Sequence, residues 1–268
     1  MNSQQTLFRR YSDFYEANWE KQWNRHRSGE YPFIEKVIRD RRAQEGYGLY
    51  MGYFCTMSLD LFDKDIDFDR VLNVNNLWLA IKLLDEMVDN GNSEDPAGFL
   101  DAVYESLYRE VGFESPTEAQ VSRIFREVMG NLEYSKNPSL CESACNLKES
   151  VKRGLKSRDF RDFLEADAEA GLYAGEVTGY GLVPSAGRDS DFMEYMRRIS
   201  TAVNILDDIK NYRDDRKNLR LDGGGPGCLL KAGFLFSRNL LSSVMKLPKG
   251  KKTKFFRMTL PHSRKVFD

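Results

Sequence analysis

The segment from Ser200 to Lys217 constrains the fold more than any other part of the chain, since its pattern predicts one long helix with an apolar first half. Asp207, Asn211 and Asp215 recur at steps of four residues, so an α-helix places them along one side. Two carboxylates at this spacing repel one another unless a positive charge lies between them. Mg²⁺ prefers such oxygen ligands, and the sequence therefore predicts a magnesium site here, with Asp208 nearby.

A second informative helix is predicted from Arg70 to Asn90, and it is apolar on nearly every side, as expected for a central helix. Asp85, Glu86 and Asp89 lie near its carboxyl end, and Asp85 and Asp89 share one face. The helix dipole disfavours acidic side chains at a helix C-terminus, so an ordinary polar helix end explains them poorly. We interpret these three residues as a second set of metal ligands.

The other periodic segments also predict helices, and no alternating strand pattern occurs, so we expect an all-α fold. We divide the chain into an N-terminal helical segment, 1–45, and a helical domain, 46–268, that forms a single-domain bundle. The glycine-rich segment Ala174 to Gly181 fits either close helix packing or a kink that exposes backbone groups to a ligand.

Composition excludes several classes of function. A net charge of −1 gives no sign of the basic excess that is typical of nucleic-acid-binding proteins. No apolar run reaches the roughly 18 residues needed to span a bilayer, and no signal peptide is visible, so we expect a cytoplasmic protein. His26 and His262 are the only histidines, which argues against a histidine-rich zinc site, a Ser-His-Asp triad and a di-iron bundle with Glu-x-x-His pairs. Catalysis must depend on carboxylates, cations and backbone groups.

Two acidic helices that face one another across a cavity could hold Mg²⁺ ions that bind a diphosphate. The ions would stabilise the charge on a leaving diphosphate, and an apolar cavity would protect the carbocation that remains. The basic residues close to the acidic segments, which could donate hydrogen bonds to phosphate oxygens, are Lys82, Arg161, Arg216 and Lys217. The aromatic residues that either line the cavity or simply pack in the core are Trp78, Tyr173 and Tyr180.

The two acidic motifs resemble those of the class I isoprenoid synthases, and most closely those of the squalene and phytoene synthases. The first motif of that group typically reads R-x-x-D-D-x-x-D or D-E-L-V-D, and Lys82 to Asp89 reads K-L-L-D-E-M-V-D. The second resembles T-N-I-x-R-D-x-x-x-D, which V-N-I-L-D-D from Val203 to Asp208 matches at its beginning, although Tyr212 stands at its final aspartate. The segment from Asp207 to Asp215 is similar instead to the (N/D)-D-x-x-(S/T)-x-x-x-E triad of class I terpene cyclases.

The resemblance implies a helical bundle of the class I isoprenoid synthase type, an isoprenyl diphosphate substrate and a cluster of about three Mg²⁺ ions. Arg161 lies 46 residues before Asp207, which is the usual separation of the diphosphate-sensing arginine in such cyclases. The metal ligands implied by the two motifs are Asp85, Glu86, Asp89, Asp207, Asp208, Asn211 and Asp215.

One departure from the squalene synthase pattern affects the predicted reaction. Those enzymes carry Y-x-x-Y-V-A-G before the second motif, whereas Glu169 to Gly175 reads E-A-G-L-Y-A-G. We therefore predict a soluble terpene synthase that ionises one isoprenyl diphosphate and cyclises the carbocation or eliminates a proton from it. Two alternatives stay open: a head-to-head prenyltransferase that joins two isoprenyl diphosphates, and a catalytically silent binding or assembly protein of the same fold. A homodimer is compatible with the sequence.

Overall fold

The computed structural model describes residues 3–23, 32–40, 49–89, 93–113, 115–218 and 226–256. The regular elements in these ranges are all helices, so the predicted all-α fold is confirmed for this part of the chain. None of the helices in these ranges combines the length and the apolar character needed to cross a membrane.

The helices are α1 (Ser3–Trp23), α2 (Pro32–Arg39), α3 (Met51–Leu61), α4 (Phe68–Asp89), α5 (Pro96–Glu105), α6 (Pro116–Asn131), a 3₁₀ turn (Tyr134–Lys136), α7 (Pro138–Lys156), α8 (Phe160–Leu182), α9 (Asp191–Asn218) and α10 (Pro226–Met245). The two helices with acidic motifs are thus α4 and α9. Helix α4 is within two residues of its predicted bounds, whereas α9 begins nine residues before the predicted Ser200.

The chain divides into two compact units. The first unit comprises residues 1–134 and 253–268, and the second comprises residues 135–252. Helices α1 to α6 therefore belong to the first unit, and helices α7 to α10 belong to the second. The border predicted between residues 45 and 46 lies outside the described residues.

Helix α4 is the central element of the first unit, as its apolar pattern predicts. Two of its amides also make polar contacts with α1: Nε1 of Trp23 donates to Oδ1 of Asn76 at 2.9 Å, and Nδ2 of Asn75 donates to the Tyr11 hydroxyl. Hydrogen bonding makes these buried amides tolerable inside an apolar region. The fully or almost fully buried apolar side chains of α4 are Val71, Leu72, Val74, Leu77, Leu79, Ala80, Leu83, Leu84, Met87 and Val88.

Polar caps set the starts of several helices. Ser115 begins α6 with a capping box, because its hydroxyl accepts from the Glu118 N–H at 3.1 Å and the Glu118 carboxylate accepts from the Ser115 N–H. In the second unit, Oδ1 of Asn137 accepts from the Leu140 N–H at the start of α7. Each cap satisfies a backbone donor that the first helical turn leaves unpaired.

Glycine residues bring α8 and α9 into close contact in the second unit. Gly171, Gly175 and Gly179 lie one turn apart on α8 and face α9. A Cβ atom at Gly175 would lie 2.3 Å from the backbone oxygen of Met196, and one at Gly179 would lie 2.7 Å from Sδ of Met193. Helix α8 runs without a break through this segment, so close helix packing accounts for the glycines.

An apolar cluster joins α8, α9 and α10 in the same unit. Leu164, Ile205 and Ala232 contribute one buried side chain from each of the three helices. Partly buried neighbours, among them Ile209, pack around these three. Since Ile205 and Ile209 face this cluster, the side of α9 that carries Asp207 is turned away from it.

Candidate functional site

The acidic residues of α4 lie around a lysine. Nζ of Lys82 is 2.8 Å from Oδ2 of Asp85 and 2.9 Å from Oε1 of Glu86. The spacings of three and four residues place the ammonium group over both carboxylates on the same helix face. All three side chains are partly exposed, with 46% exposure for Asp85. Asp89 is the last residue of α4, and its side chain lies outside the described part of the chain.

The lysine supplies the positive charge that a cluster of carboxylates requires. Ion pairs at this level of exposure contribute about 0–1 kcal/mol, so a divalent cation could replace the ammonium group at little cost. Asp85 and Glu86 are oxygen ligands of the kind that Mg²⁺ prefers, and their exposure allows a hydrated ion to approach. The chemistry of these donors therefore fits magnesium.

The acidic segment of α9 is helical from end to end, so Asp207, Asn211 and Asp215 occupy successive turns as predicted. The Asp207 side chain is exposed, whereas Asp208 is only 7% exposed. Neighbouring residues on a helix point about 100° apart, which explains why the two aspartates differ in burial. The side chains of Asn211 and Asp215 are not among those described, and the same holds for Arg216 and Lys217.

Arg161 lies in the first turn of α8, where Asp159 caps the helix by accepting from the Arg161 N–H at 2.7 Å. The ring of Phe160 meets the ring of Tyr212 edge to face, with 4.8 Å between the centroids. Phe160 immediately precedes Arg161, and Tyr212 immediately follows Asn211. This contact places the first turn of α8 beside the acidic segment of α9 within the second unit.

A carboxylate holds two cations at this end of the second unit. Oε1 of Glu165 is 3.4 Å from Nε of Arg161 and 2.6 Å from Nζ of Lys231. Hydrogen bonds from Lys231 and then Arg161 lower the pKa of the Glu165 carboxyl group below its usual range. The carboxylate therefore stays ionised near neutral pH and keeps both cations close to the start of α8.

The remaining predicted residues are divided between the two units. Trp78 is partly exposed on α4, and Tyr173 is partly exposed on α8, so the two belong to different units. Tyr180 is 2% exposed inside the second unit, where core packing accounts for it. The acidic segments of α4 and α9 likewise belong to different units. Within the described side chains, no group of three or more His, Cys, Asp or Glu residues could hold a metal ion.

A small cavity in the first unit offers a weaker candidate site. Its volume is about 220 Å³, and its lining includes the acidic residues Asp95 and Glu118. Both residues serve as helix caps: Oδ1 of Asp95 accepts from the Gly98 N–H at 3.0 Å, and Glu118 belongs to the capping box of α6. Because these two acids stabilise helix starts, their presence in the lining does not by itself indicate a ligand.

A buried polar network in the second unit was not predicted from the sequence. Nε of Arg197 on α9 lies 2.7 Å from Oε1 of Glu176 on α8, and Oγ of Ser143 on α7 donates to Oε2 of Glu176 at 2.7 Å. Burial alone would lower the pKa of Arg197, but the hydrogen bonds and charges of Glu176 and Glu194 together outweigh it and raise the pKa. The available signal was a glutamate between glycines in an otherwise apolar stretch of α8.

The network continues to α10 and so connects all four helices of the second unit. Glu194 accepts from Nε of Arg198 at 2.8 Å, and a terminal nitrogen of Arg198 lies 3.3 Å from Oδ1 of Asn239. Each charged member has a partner of opposite sign, which is the condition for burying charge without a large loss of stability. The network therefore serves to fix the packing of α7, α8, α9 and α10.

Comparisons with known proteins show no match. No protein-family model matches the chain, and neither a curated protein nor a solved structure matches it. The relationship to the class I isoprenoid synthases that the two acidic motifs suggest therefore stays a prediction.

Proposed function

We propose that this protein is a Mg²⁺-dependent terpene synthase that ionises an isoprenyl diphosphate. The observation that carries the proposal is the ring contact between Phe160 and Tyr212. It brings the end of α8 that bears Arg161 next to the helical segment that bears Asn211 and Asp215. The contact supports the proposal because a guanidinium group for phosphate and oxygen ligands for metal, if these residues have those roles, would then be available at one end of one unit.

The reaction needs only charge stabilisation and exclusion of water. The bond between the allylic carbon and the diphosphate oxygen breaks, and its electron pair leaves with the diphosphate. The carbocation that remains becomes an alkene by losing a proton to the released diphosphate, either directly or after a double bond of its own chain has attacked the cation and closed a ring. Bound Mg²⁺ would neutralise the charge that develops on the departing diphosphate.

The residues of each acidic segment have separate roles. Asp85, Glu86 and Asp89 provide the oxygen ligands of α4, and Lys82 balances their charge when no metal is bound. With a metal ion held by these carboxylates, the Lys82 ammonium group would be in a position to donate a hydrogen bond to a phosphate oxygen. On α9 and its neighbour α8, the ligands are Asp207, Asp208, Asn211 and Asp215, and the phosphate donors are Arg161, Arg216 and Lys217.

Direct incubation with substrates tests the proposal. Geranyl, farnesyl and geranylgeranyl diphosphates are supplied in turn, with Mg²⁺ or with EDTA, and both diphosphate release and the mass of the organic products are measured. We expect diphosphate release that depends on Mg²⁺ and a hydrocarbon or alcohol of the same chain length as the substrate. A product of doubled chain length would instead establish a head-to-head prenyltransferase. No diphosphate release from any substrate would favour a silent binding protein.

Replacing Asp85 by asparagine should lower kcat at least about 100-fold, because one charged metal ligand is lost. The fold should be retained and the melting temperature should change little, since Lys82 keeps its ion pair with Glu86. Turnover and thermal melting of the variant are measured under the same conditions as the wild type.

The matched control is Asp69→Asn, which makes the same change at an exposed position in the first turn of α4. It should leave turnover unchanged. If Asp85→Asn were as active as this control, the assignment of Asp85 as a metal ligand would be wrong.

A further inference from the structure

Helix α10 is apolar on two opposite sides, and only one side is covered. The covered side carries Ala232, which is 1% exposed, with Leu235 and Phe236 packed into the same cluster, together with the buried amide of Asn239. The other side carries large apolar side chains that are exposed. We refer to it as the α10 apolar face, and its members are Leu230 at 75% exposure, Phe234 at 67%, Leu241 at 64% and Met245 at 74%.

The members of the α10 apolar face form one continuous stripe. Leu230 and Phe234 are one helical turn apart, Leu241 follows two turns later, and Met245 follows after one more turn. At about 1.5 Å per residue the stripe is about 22 Å long. Isolated exposed apolar residues are ordinary, but an aligned stripe of this kind marks an interaction surface.

The part of the sequence that contains this face is basic. From Gly223 to Phe267 the sequence holds ten lysines and arginines and no aspartate or glutamate, whereas the rest of the chain holds 30 basic and 41 acidic residues. Lys231 and Lys246 of α10 are paired with Glu165 and Asp191, so these two lysines add no net charge to the face. Arg238 is exposed between Phe234 and Leu241 and forms no ion pair with any residue that the structure describes. Lys249 and Lys252, which follow the helix, are exposed as well.

We propose that the α10 apolar face binds the surface of an anionic lipid bilayer. Apolar side chains enter the boundary between headgroups and acyl chains, while adjacent cations contact anionic headgroups. A second copy of this chain is a less suitable partner for the face, because an isologous contact would bring the exposed basic residues of the two copies close together. Nucleic acid would use the cations but leave the apolar stripe in water. The inference does not depend on the proposed chemistry.

Vesicle flotation tests the inference. The full chain is mixed with phosphatidylcholine vesicles that contain about 30% phosphatidylserine, or with phosphatidylcholine alone, and the bound fraction is measured at low and high salt. We expect binding to the anionic vesicles, weaker binding to the neutral ones, and partial release at high salt because only the electrostatic contribution is screened.

Two variants separate the apolar contribution to vesicle binding from the electrostatic one, and a third variant is the control. The double substitution Phe234→Ser with Leu241→Ser should weaken binding to anionic vesicles about tenfold or more, since both apolar side chains would otherwise enter the bilayer. Arg238→Gln retains the apolar stripe and should weaken binding about fivefold, in keeping with one cation near an anionic surface. Val203→Ser removes an exposed apolar side chain from α9, outside the α10 apolar face, and should leave binding unchanged.

Circular dichroism shows whether each variant is folded. If the double variant does not fold, vesicle binding by Arg238→Gln still tests the inference. The inference is overturned if the wild type does not bind anionic vesicles, or if Arg238→Gln and the double variant bind as the wild type does. It is also overturned if the stripe mediates self-association, seen as a concentration-dependent dimer that the double substitution abolishes while vesicle binding is unaffected.

Discussion

Replacing Arg197 by methionine should lower the free energy of unfolding by about 3–5 kcal/mol, because the variant leaves the Glu176 carboxylate buried without its ion partner. The Glu176 side chain is 4% exposed and the Arg197 side chain is 11% exposed, so water cannot replace the missing guanidinium group. Ser143 would still donate one hydrogen bond to the carboxylate, but a hydroxyl group does not balance a full charge. Chemical denaturation monitored by circular dichroism measures the effect.

The exposed ion pair between Arg188 and Glu142 provides the matched control. Its nitrogen and oxygen are 3.5 Å apart, and both side chains are more than half exposed. Arg188→Met should therefore cost no more than about 1 kcal/mol. A double variant, Arg197→Met with Glu176→Gln, should be less destabilised than the sum of its single changes, since it removes both charges. Equal stability of Arg197→Met and Arg188→Met would contradict a structural role for the buried pair.

Replacing Gly175 by leucine should destabilise the protein by at least about 3 kcal/mol, because the new side chain must enter the contact between α8 and α9. The first added carbon alone would lie 2.3 Å from the backbone oxygen of Met196, and backbone cannot move aside as a flexible side chain can. The helix propensity of leucine, which is better than that of glycine, offsets only a fraction of this loss. The free energy of unfolding is again the quantity measured.

The same substitution at Gly130 should not lower the free energy of unfolding. A Cβ atom there meets no other atom within 4 Å, and the residue lies in α6. Gly130→Leu should leave stability unchanged or raise it by up to about 0.8 kcal/mol through helix propensity. If leucine at Gly130 lowered the free energy of unfolding as much as leucine at Gly175 does, the leucine side chain itself would cause the effect, and the contact between α8 and α9 would not.

Much of the site could be predicted because helical spacing is local. The central position of α4, the regular steps from Asp207 to Asp215, and the acidic end of α4 all follow from residues a few positions apart. The ion pairs of Lys82 could have been predicted in the same way, because they join residues three and four positions apart on one helix.

Other features could not be predicted because they depend on distant residues. Glu176 and Arg197 are 21 positions apart, and neither residue by itself indicates a buried partner. The glycines of α8 were compatible with a kink or with close packing until the position of Met196 on α9 was known. The exposed stripe on α10 was also missed, since its apolar pattern is the one expected of a helix covered on both sides.

The sequence by itself determined that the chain is helical, and it determined the positions at which carboxylate and amide side chains recur along α4 and α9. Both conclusions depend on periodicity within one helix, which the order of residues specifies directly. Only the tertiary structure decided that Asp208 is buried while Asp207 is exposed, and that Phe160 places the Arg161 end of α8 beside Tyr212. Burial and contact between helices depend on which faces pack together, and this depends on how the side chains of all the helices fill the core.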